Sequence, residues 1–262
     1  MSNFKIPGLI NPYWKADPLF SKMATAMLFL EGSEYTSADM LRINGALPLN
    51  GNAWTVGPNG RAVTIAADTW VDTAPAGDTF DYIAPGLTFM HWANTVSAEA
   101  TAEYLTLNYM DGDNFIKFGR LDNKIYCVLK IDENWAELDG AALNNNDGLD
   151  HQWVFVSDAQ GIATYFDGVL IASDVSIGKS GVFDSSTINI GGDGSEGFIG
   201  NITSSCSWKR GLSGAEIFEL YKRGPKLGLA SQMEIDPSFF GAIMGAGSAW
   251  NPAFASNNNF VL

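Results

Sequence analysis

Apolar and polar positions alternate in short runs through the middle of the chain, from about residue 28 to about residue 210. "LTFMHWANTV" (87–96), "AEYLTLNYM" (102–110), "FIKFGRL" (115–121), "KIYCVLKI" (124–131), "HQWVFVSD" (151–158) and "IATYFDG" (162–168) are rich in β-branched and aromatic residues. That composition suits half-buried pleated strands. In "HQWVFVSD", Trp153 and Phe155 fall on one face and Val154 and Val156 on the other, so this strand is expected to lie between covering layers. Asp111-Gly112-Asp113-Asn114, Asp122-Asn123, Asp139-Gly140, Asp147-Gly148, Asp167-Gly168 and "GGDGSEG" (191–197) separate the runs. Such pairs supply the positive φ angles that two-residue hairpin turns require, so the pattern predicts an antiparallel all-β fold, a two-sheet sandwich or jelly roll. In "TYFDGVLIASD" (164–174) the turn at Asp167-Gly168 is expected to leave Tyr165, Val169 and Ile171 on one apolar face and Phe166 and Leu170 on the other.

One segment changes period. In "LSGAEIFELYKRGPK", Ser213 and Glu216 have the spacing of a capping box, and Ile217, Leu220 and Tyr221 share a helical face. Lys222 and Arg223 fall in the last turn, and Gly224-Pro225 stops the helix. A short amphipathic brace against the sandwich is expected.

The two ends break the alternation. Residues 1–25 carry Pro7, Pro12 and Pro18 among Phe4, Tyr13, Trp14 and Phe20, which reads as an extended arm. Residues 225–262 are nearly uncharged, Gly/Ala/Ser-rich, and hold Phe239, Phe240, Trp250, Phe254 and Phe260. Exposed aromatics of that kind call for a covering surface, either the chain's own domain or a neighbouring subunit. The jelly-roll domain is therefore placed at residues 26–224, between two arms.

Composition narrows the partners. With 46% hydrophobic and 17% charged residues the chain has material for a core, and its net charge of −14 opposes binding to nucleic acid or anionic lipid. No apolar run reaches the length of a membrane span, and the N-terminus carries no export-signal pattern, so membrane insertion is not expected. Cys127 and Cys206 are too few for a disulfide framework and read as buried free thiols.

"HQWVFVSDAQGIATYFDGVLIASD" through "TINIGGDGSEGFIGNITSSCSWKRGLSGAEIFELYKRG" resembles the laminin-G-like, concanavalin-A-like jelly rolls. The match runs through Trp153, then Tyr165, Asp167 and Gly168, then Ile190 to Gly192, then Arg210, Leu212 and Ser213, and finally Glu216, Ile217, Leu220 and Tyr221. "AMLFLEG" (26–32), "GRAVTI" (60–65) and "LTFMHWANT" (87–95) extend it more loosely to residues 26–224. The resemblance implies two antiparallel sheets packed face to face. The family hosts lectins, adhesion modules, hydrolases and virion proteins, so its fold does not fix a function.

Few residues carry chemistry. Glu234 and Asp236 in "MEIDPSFF" have the spacing of a glucanase carboxylate pair, but Phe239 stands where a third acid belongs and Pro237 disfavours a central strand, so no enzyme is expected. His91 and His151 read as structural histidines. No catalytic, cofactor or metal residue is assigned, and no cofactor is expected, although the resemblance admits calcium at a loop rim. Asp111, Asp113 and Asn114, or Asp193 and Glu196, are the loops that would hold it, and both read more simply as turns. Trp54, Trp92, Trp135 and Trp153 lie in or beside strands and read as core.

Two functional expectations follow from the resemblance. "LINPYWKADPLF" (9–20) ahead of such a domain looks like proteins encoded among bacteriophage structural genes. The first expectation is therefore a non-enzymatic virion protein made in the host cytoplasm, a capsid decoration, head-fibre or tail component. It would form homo-oligomers and bind capsid or tail subunits through its arms. The alternative is a carbohydrate-binding or adhesion module, including a receptor-binding role.

Overall fold

Short alternating strands joined by tight turns have two faces to bury, and layering one sheet on another buries the inner face of each. The computed structural model describes residues 17–27, 36–38, 46–48, 52–66, 69–72, 79–81, 86–95, 97, 102–109, 114–131, 134–143, 145–175, 182–184, 188–192 and 196–227. Among these the strands are, in chain order, β1 Met23–Met27, β2 Thr36–Ala38, β3 Ala46–Pro48, β4 Ala53–Gly57, β5 Gly60–Ile65, β6 Val71–Asp72, β7 Thr79–Asp81, β8 Leu87–Asn94 and β9 Glu103–Tyr109. They continue with β10 Phe115–Leu121, β11 Lys124–Ile131, β12 Asn134–Ala142, β13 His151–Asp158, β14 Gly161–Phe166, β15 Val169–Asp174, β16 Val182–Asp184, β17 Ile188–Ile190 and β18 Gly200–Trp208.

One sheet runs β15-β14-β13-β8-β18-β5-β4, with β1 also paired to β18, and the other runs β12-β11-β10-β9-β17-β6. Two small ribbons, β2 with β3 and β7 with β16, stand apart. The core lies between the two large sheets, where Phe89, Trp153, Phe155 and Ile202 of the first meet Leu105, Phe118, Cys127 and Leu129 of the second. The expected all-β antiparallel sandwich is thus the observed architecture. Cys127 and Cys206 are both buried and neither is part of a disulfide, and burial pushes the Cys127 thiol above its ordinary range.

Local chemistry explains the turns that form and one that does not. Asp122 and Asn123 (φ 52° and 65°) and Asp167 and Gly168 (φ 49° and 77°) are left-handed pairs closing β10–β11 and β14–β15, as the hairpin rule requires. Asp139-Gly140, expected as a turn, instead lies inside β12. A Cβ on Gly140 would come within 2.7 Å of Ile171 Cγ2, so this glycine lets Ile171 of β15 seat against β12. The face assignment around Asp167-Gly168 also needs correction. Register pairs Phe166 with Val169 and Tyr165 with Leu170, because the two residues flanking a two-residue turn face the same way.

Helix α1, Gly214–Arg223, carries the expected capping box: the Glu216 amide donates to Ser213 Oγ and the Ser213 amide to Glu216 Oε2. It covers the outer face of the β13–β8 region, with Tyr221 stacked on Trp92 at 5.8 Å and Gln152 donating to the Ile217 carbonyl. Trp92 is therefore buried beneath the helix rather than between the sheets. The expected domain start at residue 26 falls inside β1. Ahead of that strand Trp208 donates to the Leu19 carbonyl at 2.8 Å and Arg223 pairs with Asp17 at 2.6 Å. The chain divides into two units at Pro225/Lys226, and residues 1–16 and 228–262 lie outside the described residues. Among the described residues no helix is long and apolar enough to cross a membrane.

Candidate functional site

The outer face of β9–β12 gathers the most varied chemistry. Along β11, Ile125, Cys127 and Leu129 enter the core, so Lys124, Tyr126 and Lys130 stand on the opposite face. On β10 the inward Ile116 and Phe118 leave Phe115, Lys117 and Gly119 outward. Direct partners share a face, and Gly119 pairs with both Tyr104 of β9 and Tyr126 of β11. The two tyrosine ring centroids stand 6.3 Å apart across that glycine.

No larger residue fits between them. A bulge at Phe118/Gly119 draws β9 close, and a Cβ on Gly119 would approach the Glu103 carbonyl oxygen to 2.1 Å. Tyr104 is buried, while Tyr126 is only partly buried. Lys117 Nζ lies 5.1 Å from the Tyr104 ring centroid and 5.4 Å from that of Phe115, and it pairs with Glu196 at 2.6 Å. A bridge between Tyr104 and Gly197 brings Glu196 to this edge.

On the other side Glu137 lies beside the Tyr126 phenol and Asp139 pairs in register with Tyr126, and both acids are exposed. Burial, with the Glu137 carboxylate beside it, pushes the Tyr126 phenol up to about 12, so the phenol remains a donor. Lys124 pairs with Asp139 at 2.8 Å, and that carboxylate raises its pKa. A partly exposed aromatic ring edged by hydrogen-bonding charges suits a ligand with an apolar face and a polar rim.

A second cluster surrounds the Asp167 turn. His151 Nδ1 lies 2.7 Å from Asp167 Oδ2 and Nε2 lies 3.1 Å from Asp147 Oδ1, while Asp167 Oδ1 accepts from the Gln152 amide at 2.8 Å. The imidazole also stacks on Phe166 with centroids 4.6 Å apart. Burial opposes the charged ring, but the two carboxylates outweigh it and raise the His151 pKa. The clamp's stabilisation is therefore present at low pH and lost as pH rises through that raised value. Asp167→Asn is expected to bring the imidazole titration down, a shift followed by NMR of the ring protons.

The other residues weighed from sequence scatter. His91 is buried between the sheets, Trp153 is in the core and Trp54 packs against it. Asn114 precedes β10, and Glu196 holds Lys117 rather than standing alone at a tip. Asp111, Asp113, Asp193, Glu234, Asp236, Pro237, Phe239 and the Trp135 side chain lie outside the described residues. Among the described residues no group of three or more His, Cys, Asp or Glu is placed to hold a metal ion. Tyr104, Lys117, Tyr126 and Glu137 carry no motif that marks them as site residues in the sequence. A usable signal was present in "KIYCVLKI", where Tyr126 falls on the lysine face of an alternating strand.

No family model matches the chain, and neither does any curated protein. Solved structures do. Domain 4 of AbnA, an extracellular arabinanase of Geobacillus stearothermophilus solved in complex with arabinotriose, superposes with a TM-score of 0.58 at 14% identity, over 75% of this chain and 97% of that domain. The binding domain of Paraclostridial Mosquitocidal Protein 1 gives 0.60 at 13% identity, over 78% of this chain and 52% of that one. Trypanosoma rangeli sialidase in complex with sialic acid gives 0.57 at 13% identity, over 79% of this chain and 34% of the sialidase. The likeness is one of fold. It places this chain among jelly-roll-like β sandwiches.

Proposed function

We propose that this chain is a glycan-binding β-sandwich module whose binding face is the outer surface of β9–β12. The observation that carries the reading is the partly exposed Tyr126 ring beside Gly119, edged by Lys117, Lys124, Glu137 and Asp139. A sugar ring offers C–H groups to an aromatic surface and hydroxyls to charged partners, and this face supplies both. The arabinanase domain, matched over 97% of its length and solved with arabinotriose, supports the reading. Tyr126→Ala is expected to weaken binding of the best-bound oligosaccharide at least about tenfold, the scale of one lost stacking contact. Titration calorimetry after a glycan-array screen reads the effect, and unchanged affinity in a folded variant rejects the face.

The second reading is the virion structural role that the "LINPYWKADPLF" arm motivates. The structural relatives support glycan binding more than a capsid or tail role. The two meet in a receptor-binding protein on a particle surface, a position that immunogold labelling of purified particles would test. In both readings the chain binds without catalysing, and hydrolysis of a bound glycan would overturn that.

A further inference from the structure

We infer that Asn59-Gly60, at the turn between β4 and β5, is a site of spontaneous deamidation, and that its acidic product releases the loop 145–150 from the sheet. Gly57 pairs with Gly60, so Pro58 and Asn59 form the turn and Gly60 opens β5 at φ 98°. Asn59 and Gly60 are both exposed, and no atom lies within 4 Å of where a Cβ on Gly60 would stand. Asn44-Gly45 and Asn50-Gly51 share the dipeptide but lie outside the described residues. Glycine has no side chain to shield its own amide nitrogen, so that nitrogen can reach the preceding side chain. Once deprotonated by solvent hydroxide, the Gly60 nitrogen attacks Asn59 Cγ and closes a succinimide, while Nδ2 takes a proton from water and leaves as ammonia. Water then opens the ring at either carbonyl to leave aspartate or isoaspartate, so the net change is amide plus water to acid plus ammonia. Asn94 and Asn201 lie inside strands ahead of β-branched Thr95 and Ile202, which crowd the following nitrogen.

The amide that is lost holds two parts of the fold together. Asn59 Nδ2 donates to Asp150 Oδ2 at 2.9 Å, the same oxygen accepts from Thr203 Oγ1 at 2.8 Å, and Asp150 Oδ1 accepts from Asn94 Nδ2. Asp150 thus fastens loop 145–150 to the β4–β5 turn, to β18 and to β8. The loop also carries Asn145, which accepts from Arg120, and Gly148, whose amide donates to the Thr95 carbonyl. After deamidation two acceptor-only carboxylates meet where a donor met an acceptor. The cations nearest in sequence are turned away or engaged. Arg61 falls on the face of β5 that carries Val63 and Ile65 into the core, and His151 is held between Asp147 and Asp167. Isoaspartate would also lengthen the backbone by one carbon within a tight turn.

The test holds the full chain at mildly alkaline pH beside a free peptide of residues 56–63 until half of the peptide has reacted. Peptide mapping by mass spectrometry, with enzymatic labelling of isoaspartate, then reads each asparagine. Acid and isoaspartate are expected to accumulate at Asn59 of the chain and not at Asn94 or Asn201, and Asn59→Gln should abolish them. A chain that keeps the Asn59 amide over that time overturns the inference, because the turn then protects it. Asn59→Asp serves as a uniform copy of one product. It is expected to lower the folded-to-unfolded ratio in urea titration by about twofold to fivefold, less at high salt, and Asp150→Asn in that background should restore it. In the same variant the Gly148 amide should exchange its hydrogen faster, the local sign of a released loop. Asn59→Ala loses the hydrogen bond without adding a charge, so an equal loss there, unchanged by salt, overturns the repulsion. Parent-like stability and Gly148 exchange in Asn59→Asp overturn the release of the loop.

Discussion

Replacing Arg120 by methionine is expected to lower the unfolding free energy by about 3–5 kcal/mol, the cost of leaving one partner of a buried ion pair alone. The Arg120 and Glu103 side chains are 0% and 3% exposed, with Nε 3.3 Å from Oε2. The guanidinium also donates to the Ser97 carbonyl at 2.8 Å and to Asn145 Oδ1 at 3.3 Å, while Glu103 accepts from Ser97 Oγ at 2.6 Å and from the Ile199 amide at 3.4 Å. One cation thus ties together the segments around residues 97 and 145 and the end of β10. Removing it strands the Glu103 charge inside the sandwich. Urea titration of the variant measures the loss, and the double replacement Arg120→Met with Glu103→Leu should recover most of it. A single variant within about 1 kcal/mol of the parent would show that water reaches and stabilises Glu103.

Acid is expected to destabilise the fold through His91. The ring is 1% exposed, its Nε2 lies 2.5 Å from Thr106 Oγ1, and burial lowers its pKa to about 3. It shares a cavity of about 10 Å³, room for about one water, with Thr25, Thr106, Ser205 and Ser207. Above pH 6.5 the ring is neutral in folded and unfolded chains alike, so it adds no pH dependence. Below that the unfolded chain binds a proton that the folded chain refuses. Stability therefore falls by roughly 1.4 kcal/mol for each pH unit until the folded ring titrates. His91→Gln should remove this slope between pH 6 and pH 4, where the His151 clamp adds none, because the clamp's slope has the opposite sign and lies above the ordinary histidine value. Denaturant titrations of both proteins at several pH values measure the difference, and parallel curves would mean that the buried ring charges freely.

Strands β10, β11 and β13 were legible because their alternation and bounding turns are local properties of the chain. The capping box at Ser213 and Glu216 and the left-handed turns at Asp122-Asn123 and Asp167-Gly168 were legible for the same reason. Asp139-Gly140 is ambiguous in sequence because the same dipeptide satisfies two needs, a positive φ in a turn or a bare backbone beneath a neighbouring side chain. Only Ile171, arriving from another strand, decides between them. The candidate face was half legible. Alternation puts Tyr126 with the lysines, but nothing local to Gly119 reveals that a bulge in β9–β10 forbids a side chain there.

The sequence by itself determined the class of fold, most of its long strands, the hairpin turns at Asp122-Asn123 and Asp167-Gly168, and the acidic, core-rich character of the chain. Periodicity and turn chemistry act over a few residues and need no partner. Tertiary structure alone decided which outward side chains meet: Tyr104 across Gly119 from Tyr126, Lys117 with Glu196, and Arg120 with Glu103 inside the sandwich. Those encounters depend on register between strands distant in sequence, and register is set by the collective burial of two sheets rather than by any one segment.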